Sequence, residues 1–280
     1  MRQLRYIIYF IFALLFASCE VDPIDEITGN EEEGTPVEKI LRFGAQSQIS
    51  TNATTRATLT HVSDESRIYN IYVFIFDSNG DKVFGRYFDN KTNLHTSEAA
   101  RLSSEDDGWY VHQPSSIDDD DTWGTVKFGA TKHNNATVFI IANIDSRMVN
   151  ISAEKLGLVR KQSDIVNMVA TLNHASVERT GYFPMTGSLQ NVNTASIDTS
   201  KSLMLKRMDA KVLFWFKKSD NIQKLVIKNW KVVSAPRCSY IMSREERNKY
   251  GGNSGDADVS GYFETTFMPY ENSRLNGDDE

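Results

Sequence analysis

Cysteine is almost missing from this sequence, and with it any disulfide framework. The 280 residues hold two, Cys19 and Cys238. The first has another use, argued below, so Cys238 is left without a partner for an internal bridge. An excess of basic residues is also missing. The 31 Lys plus Arg stand against 37 Asp plus Glu, a net of −6. An acidic chain repels phosphate backbones, which argues against nucleic acid as a partner. No apolar run reaches the roughly 20 residues that a helix needs to span a bilayer. The five histidines, His61, His95, His112, His133 and His174, do not stand at metal-ligand spacing with one another, with Cys or with carboxylates. There is no G-x-S-x-G, no H-E-x-x-H and no P-loop. No catalytic constellation is legible. The sequence therefore predicts a non-enzymatic chain with no metal and no cofactor.

What is present begins at the first residue. Residues 1–5 form a short basic start, and residues 6–17 an apolar run of the length of a signal-peptide core. Phe16-Ala17-Ser18-Cys19 follows at once. Small residues before a Cys fit the narrow pocket of a lipoprotein signal peptidase, and the stretch resembles a lipobox. Residues 1–18 are thus expected to be a removed signal peptide and Cys19 the site of lipidation. Each buried methylene contributes about 0.8 kcal/mol, so a multiply acylated N-terminus is a firm anchor. Loss of Arg2 and Arg5 with the signal leaves a net of −8. Residues 19–36 read as the lipidated Cys followed by an acidic linker, with Glu31, Glu32 and Glu33 in a row. Such a segment cannot bury enough surface to fold. Its 17 residues after Cys19 reach at most about 55 Å. Acidic residues just after the lipid Cys resemble the surface-export signal of Bacteroidetes lipoproteins.

The remainder reads as all-β. Residues 68–76 (IYNIYVFIF) are aromatic, β-branched and nearly all apolar, as a strand covered on both faces should be. Asp77-Ser78-Asn79-Gly80-Asp81 supplies a turn, and residues 82–88 return to complete a hairpin. Further strands are predicted at 41–45, 109–112, 125–128, 137–142, 211–216 (KVLFWF) and 224–233 (KLVIKNWKVV). Helix is scarce. Ser152 and Ser163 can each N-cap a short one, over 153–158 and 164–172. Many short strands separated by turn signals predict a sandwich.

Four further features bear on chemistry. Cys238 has no nearby His and reads as a buried spectator thiol. The turn at 77–81 lacks the third-position Asp and the twelfth-position Glu of a calcium loop, so a hairpin turn explains it better. The four-Asp run at 118–121 reads as a solvated loop. Arg56-Ala57 lies in the polar, Thr-rich stretch 51–60 between two strand patterns. Loops of that kind are where proteases cut, so Arg56 and Ala57 are candidate processing residues for an Arg-specific protease.

Taken in order, these residues resemble the Bacteroidales fimbrillin family, the type V pilins and their anchor subunits. The resemblance is carried by the lipobox at Cys19, the strand near 40–45 and Thr55-Arg56-Ala57. It continues through the aromatic strand at 71–77, Ala142-Asn143-Ile144 and Phe183-Pro184-Met185-Thr186-Gly187. Leu205-Lys206-Arg207-Met208-Asp209-Ala210-Lys211-Val212 and Phe267-Met268-Pro269-Tyr270-Glu271-Asn272 complete it. It implies transthyretin-like β-sandwich domains and an outer-membrane or fimbrial location, with surface exposure. It implies other pilus subunits as partners, and a host or microbial surface ligand. In stalk and tip subunits of the family, an Arg-specific protease removes the first strand, and a neighbour's strand fills the groove. Anchor subunits keep their lipid. Family members usually continue through a second domain. Residues 37–235 are therefore expected to form an N-terminal sandwich, and 236–280 the start of a truncated or divergent second domain. On that count an anchor or accessory role is favoured over self-polymerisation. The other reading is a surface glycan-binding lipoprotein, with Trp109, Trp123 and Trp215 as stacking platforms. Trp215 stands in an apolar strand pattern, which core packing explains better.

Overall fold

The computed structural model describes residues 37–45, 66–113, 122–144, 149–173, 183–197, 202–208, 219, 221, 224, 226–255, 262–264 and 268–269. The chain is mainly β with short helices. Its principal strands are β1 (Val37–Ala45), β2 (Asn70–Phe76), β3 (Lys82–Asp89), β4 (Gly108–His112), β5 (Trp123–Ala130), β6 (Ala136–Ala142), β8 (Met185–Val192) and β9 (Ser202–Arg207). These eight pair in the order β3-β2-β6-β8-β9-β1-β5-β4. β8 meets β9 over two residue pairs only, Met185 with Arg207 and Thr186 with Lys206. The sheet is narrow at that joint and divides into two four-stranded halves. Phe84 of β3 stacks on Phe128 of β5, ring centroids 4.5 Å apart. The two halves therefore close over a common core.

The long apolar run is explained by two layers. Ile71, Val73 and Ile75 of β2 face that common core together with Val138, Ile140 and Ala142 of β6. Tyr72, Phe74, Phe76, Phe139 and Ile141 face the opposite way into a second cluster. All seven residues of β2, and all seven of β6, are buried. Two short helices lie in the second layer, α2 (Ala153–Gly157) and α3 (Gln162–Val166), with Leu156 and Ile165 fully buried. Another, α1 (Glu98–Ser103), follows the hairpin and is capped by the Ser97 hydroxyl, which accepts from the Ala100 N–H. In the turn between β2 and β3, Asp77 Oδ1 accepts from the N–H groups of Asn79 and Asp81, at 2.9 Å each. Gly80 takes φ = +80°, which glycine reaches without strain.

The chain after 236 returns to this second layer. A short strand β12 (Cys238–Tyr240) pairs antiparallel with β7 (Val169–Thr171). Ile241 and Met242 join the second cluster, and α4 (Arg244–Lys249) follows. Two further pairs are small: β10 (Asn229–Trp230) with β14 (Met268–Pro269), and β11 (Ala235–Pro236) with β13 (Tyr262–Phe263).

Two expectations need correction. The strand expected over 224–233 is reduced to Asn229–Trp230. Val226 and Val233 are 58% and 52% exposed, so this apolar alternation has no layer to pack on. The helix expected over 164–172 with Ser163 as cap instead starts at Gln162 and stops at Val166. Asp164 caps it from within: its Oδ2 accepts from the N–H groups of Arg160 and Lys161. Asn167 ends it, and the chain turns out into β7. The strand expected at 211–216 lies outside the described residues.

Candidate functional site

The first strand is held on both edges. β1 pairs antiparallel with β5 from Val37 opposite Ala130 to Gly44 opposite Trp123. On its other edge it runs parallel to β9, from Arg42 beside Ser202 to Ala45 beside Leu205. Its backbone groups are paired with β5 along nearly its whole length and with β9 over residues 42–45. Leu41, Phe43 and Ala45 alternate into the common core. Burial of the larger side chains of that kind contributes about 1.5–3 kcal/mol each. Loss of β1 would leave an apolar slot between β5 and β9, lined by unpaired N–H and C=O groups.

Charge decorates this strand unevenly. On the outward face Glu38 reaches Lys127 of β5, with 2.6 Å between Oε2 and Nζ. Lys127 is almost fully buried and also donates to the Ser104 carbonyl at the end of α1. Arg101, on α1, is fully buried, and no hydrogen-bond partner for its guanidinium nitrogens stands among the described residues. Burial holds Arg101 below the usual arginine range, and the carboxylates of Glu98 and Glu38 oppose that shift without overcoming it. Arg42 lies over the Trp123 ring at 4.7 Å. Lys39 points to the core side, is fully buried, and its Nζ has no hydrogen-bond partner among the described residues. Burial first, and then the charge of Lys132, hold Lys39 below the usual lysine range.

The residues expected to carry processing and anchoring, Cys19, Arg56 and Ala57, lie outside the described residues, as do the aspartates at 118–121 and Trp215. By sequence, Arg56 stands in the stretch that joins the end of β1 to residue 66. Trp109 offers no stacking platform: it is fully buried and its indole N–H donates to the Asp89 carbonyl at 3.0 Å. Trp123 has Arg42 over its ring, His112 stacked at 5.7 Å and the Tyr110 ring edge-on at 5.6 Å. Cys238, expected to be buried, is instead half-buried on β12. Among the described residues no cluster of His, Cys, Asp and Glu could hold a metal, and no helix is long and apolar enough to cross a membrane.

A family model described as "Major fimbrial subunit protein (FimA)" matches residues 41–211, from within β1 to beyond β9. The chain belongs to this fimbrillin family. No curated protein matches it. Among solved structures, the chain is similar to a fimbrial assembly protein from Parabacteroides distasonis, with 11% identity and a TM-score of 0.44. That likeness covers 85% of this chain and 73% of the other. It is also similar to the fimbrial anchor protein Mfa2 from Porphyromonas gingivalis, with 15% identity and a TM-score of 0.29. There 61% of this chain and 49% of the other are covered, so the chain spans about half of that protein's length.

Two fimbrillin motifs seen in the sequence have structural reasons here. Asn143, with φ = +58°, ends β6 as a fully buried clamp. Its Oδ1 accepts from the Tyr69 N–H at 2.9 Å, and its Nδ2 donates to the carbonyls of Arg67 at 2.7 Å and Phe183 at 2.9 Å. It thereby ties together the approach to β2, the end of β6 and the start of β8. Gly187 sits where β8 passes β9: a Cβ there would collide with the Met204 carbonyl oxygen. A cleft of about 790 Å³ lies beside that joint, between β9 and α4. Glu246 of α4 lines it and bridges Lys249 at 2.8 Å and Lys206 at 3.4 Å, and accepts from the Ser188 hydroxyl at 3.2 Å. Burial pushes its carboxyl up, but the bonds and charges of Lys249 and Lys206 outweigh it and leave Glu246 below the usual range.

Proposed function

We propose that this fimbrillin is an anchor, accessory or structural subunit of a type V fimbria, delivered to the outer membrane on a lipidated Cys19 and joined to its neighbours by strand addition. Residues 19–36 are then the tether and 37–235 the N-terminal domain; 236–280 begin a second one, whose first residues, through Met242, pack on the second layer of the first. The role is structural rather than catalytic. The observation that carries this reading is the seat of β1. One strand, paired with β5 along one edge and with β9 over residues 42–45 on the other, and core-packed on one face, is joined to the rest of the domain through the segment that contains Arg56. A cut after Arg56 leaves that strand held only by noncovalent contacts. An extended segment from another subunit can then take the same two ladders and the same pockets.

The surface form of the protein tests this. Sheared fimbriae and outer membranes are analysed by mass spectrometry for the N-terminal residue of this chain. Lipidated Cys19 in the membrane fraction marks an anchor. A start at Ala57 in the fimbriae marks a stalk or tip subunit, and Arg56→Ala should then hold the protein as a lipid-tethered monomer. Cys19→Ala should release an anchor from the membrane and abolish fatty-acid labelling. A chain found with neither N-terminus, whose deletion leaves the fimbriae unchanged in length and attachment, would defeat the proposal.

A further inference from the structure

The seat of β1 has a charge requirement as well as a shape, and this inference rests on the strand-addition reading above. Lys127 and Arg101 are both buried beneath α1, beside the start of the ladder between β1 and β5. The carboxylate that meets Lys127 comes from Glu38, a residue of β1 itself. Glu98 stands by Arg101 on the same helix, and Asp107 is engaged elsewhere: it pairs with Arg86 and accepts from the Gly129 N–H. When β1 leaves, its carboxylate leaves with it: Arg101 keeps the charge of Glu98 on its own helix, whereas Lys127 keeps the Ser104 carbonyl but no ion-pair partner among the described residues. Uncompensated buried charge is among the costliest states a protein surface can hold. One residue further along, β1 carries the opposite fault. Lys39 projects inward, fully buried, with Lys132 as a neighbouring like charge. β1 is thus a well-matched occupant at position 38 and a poorly matched one at position 39.

We propose that the seat selects, as its incoming partner, an extended strand from a second subunit with three features. It has apolar residues in the pockets of Leu41, Phe43 and Ala45. It has a carboxylate at the register of Glu38, against Lys127. It has an uncharged residue at the register of Lys39. A strand with those features matches the ladder as well as β1 does and removes the buried ammonium, so it displaces β1. A one-residue slip would put the acid into the core and the apolar set into solvent, so the same charges also fix register.

The test uses the full chain with a site-specific protease sequence in place of residues 54–59. After cutting, β1 is held by contacts alone. Fluorescent peptides covering residues 36–46 are titrated in, and binding is read by anisotropy. The unaltered sequence should bind measurably. The Glu38→Gln peptide should bind about tenfold more weakly, the loss expected for one hydrogen bond to a buried charge. The Lys39→Met peptide should bind about tenfold more tightly, as a buried ion gives way to an apolar residue of similar length. Against the protein with Lys127→Gln, the unaltered and the Glu38→Gln peptides should bind alike, since the cycle removes the partner. If Phe43→Ala abolishes binding while Glu38→Gln and Lys39→Met change nothing, strand addition stands and the charge selection is wrong. If no peptide enters the cut protein at all, strand addition at this seat is itself wrong, and the selection falls with it.

Discussion

β1 and β2 are both strands at the heart of the same sheet, and they are built differently. β2 contains no charge, and all seven of its residues are buried, one face on each of two clusters. β1 has three charged residues on its inner stretch, Glu38, Lys39 and Arg42, and each meets a specific neighbour or a specific lack of one. β2 is fastened by area. β1 is fastened by area on one face and by recognition on the other. A strand that never leaves needs only the first. The second suits a position at which occupants are compared.

The largest effect should come from breaking β2. Phe74 is fully buried and stacks on Tyr72 at 4.3 Å, with Phe76 at 5.9 Å on its other side. Phe74→Ala should cost about 3–5 kcal/mol, the usual penalty for emptying a phenylalanine site in a closed core. Urea denaturation should show it as a shift of midpoint at unchanged slope. A loss under about 1 kcal/mol would mean that the second layer is not a rigid part of the domain.

Next comes the clamp that fixes the approach to β2. Asn143→Leu removes an acceptor from the Tyr69 N–H and a donor from two carbonyls, and places a γ-branched residue at φ = +58°. About 3 kcal/mol should be lost, from unsatisfied backbone groups and the left-handed backbone together. Asn143→Asp keeps the acceptor and the tolerated conformation but sets a buried carboxylate oxygen against the carbonyls of Arg67 and Phe183, so at neutral pH it should lose at least as much. A clearly smaller loss would show that the acceptor, not the amide donor, holds the approach.

These elements differ in how readable they are from sequence. The runs 70–76 and 136–142 are legible because burial on both faces leaves few polar positions to blur the pattern. The helix after Ser152 is legible from its cap, which accepts from the Lys155 N–H. β8 is not, since its sequence MTGSLQNV is largely polar and its place depends on Gly187 passing close to β9. β9 is hidden for a related reason: Leu203 and Leu205 are buried, while Met204 between them is 47% exposed and mimics a core residue. α4 (REERNK) has no apolar stripe at all; Arg247 is its buried residue, lying over the Tyr240 ring at 3.6 Å. At the site, the apolar side of β1 is readable from Leu41, Phe43 and Ala45. Its charge matching is not, because Lys127 is brought to Glu38 only by the register of β5.

A smaller effect, of opposite sign, sharpens the contrast between the strands. Any truncation in β2 should destabilise, whereas Lys39→Met in β1 should stabilise the uncut chain by about 1–2 kcal/mol, by removing a buried ammonium. Native-state hydrogen exchange should show β1 amides gaining protection in that variant while β2 amides, already at the global limit, follow the overall stability. Reduced stability in Lys39→Met would mean that Lys39 is paired in solution, and that β1 is as well matched to its seat as β2 is to its own.

The smallest effect concerns β9, the strand on β1's parallel edge, and whether its tie to β8 is independent of β1. That joint has two residue pairs, and Glu246 reinforces it from outside through Lys206 of β9 and Ser188 of β8. Glu246 titrates below its ordinary value of 4.5 in the folded protein. A carboxyl held low when folded binds a proton less readily there than in the unfolded chain. Its contribution is therefore complete above about pH 4.5, and it is lost as pH falls through the lower folded value. Between about pH 7 and about pH 3 the urea midpoint of the wild type should fall further than that of Glu246→Gln, and the two curves should converge at the acid end. Because solvent and two lysines share this carboxylate, the difference should be the least of those above. Hydrogen exchange at about pH 4 should place the extra loss at the β8–β9 joint with β1 unaffected. If β1 opens together with the joint, the two edges of its seat are coupled, and an incoming strand would have to close both at once.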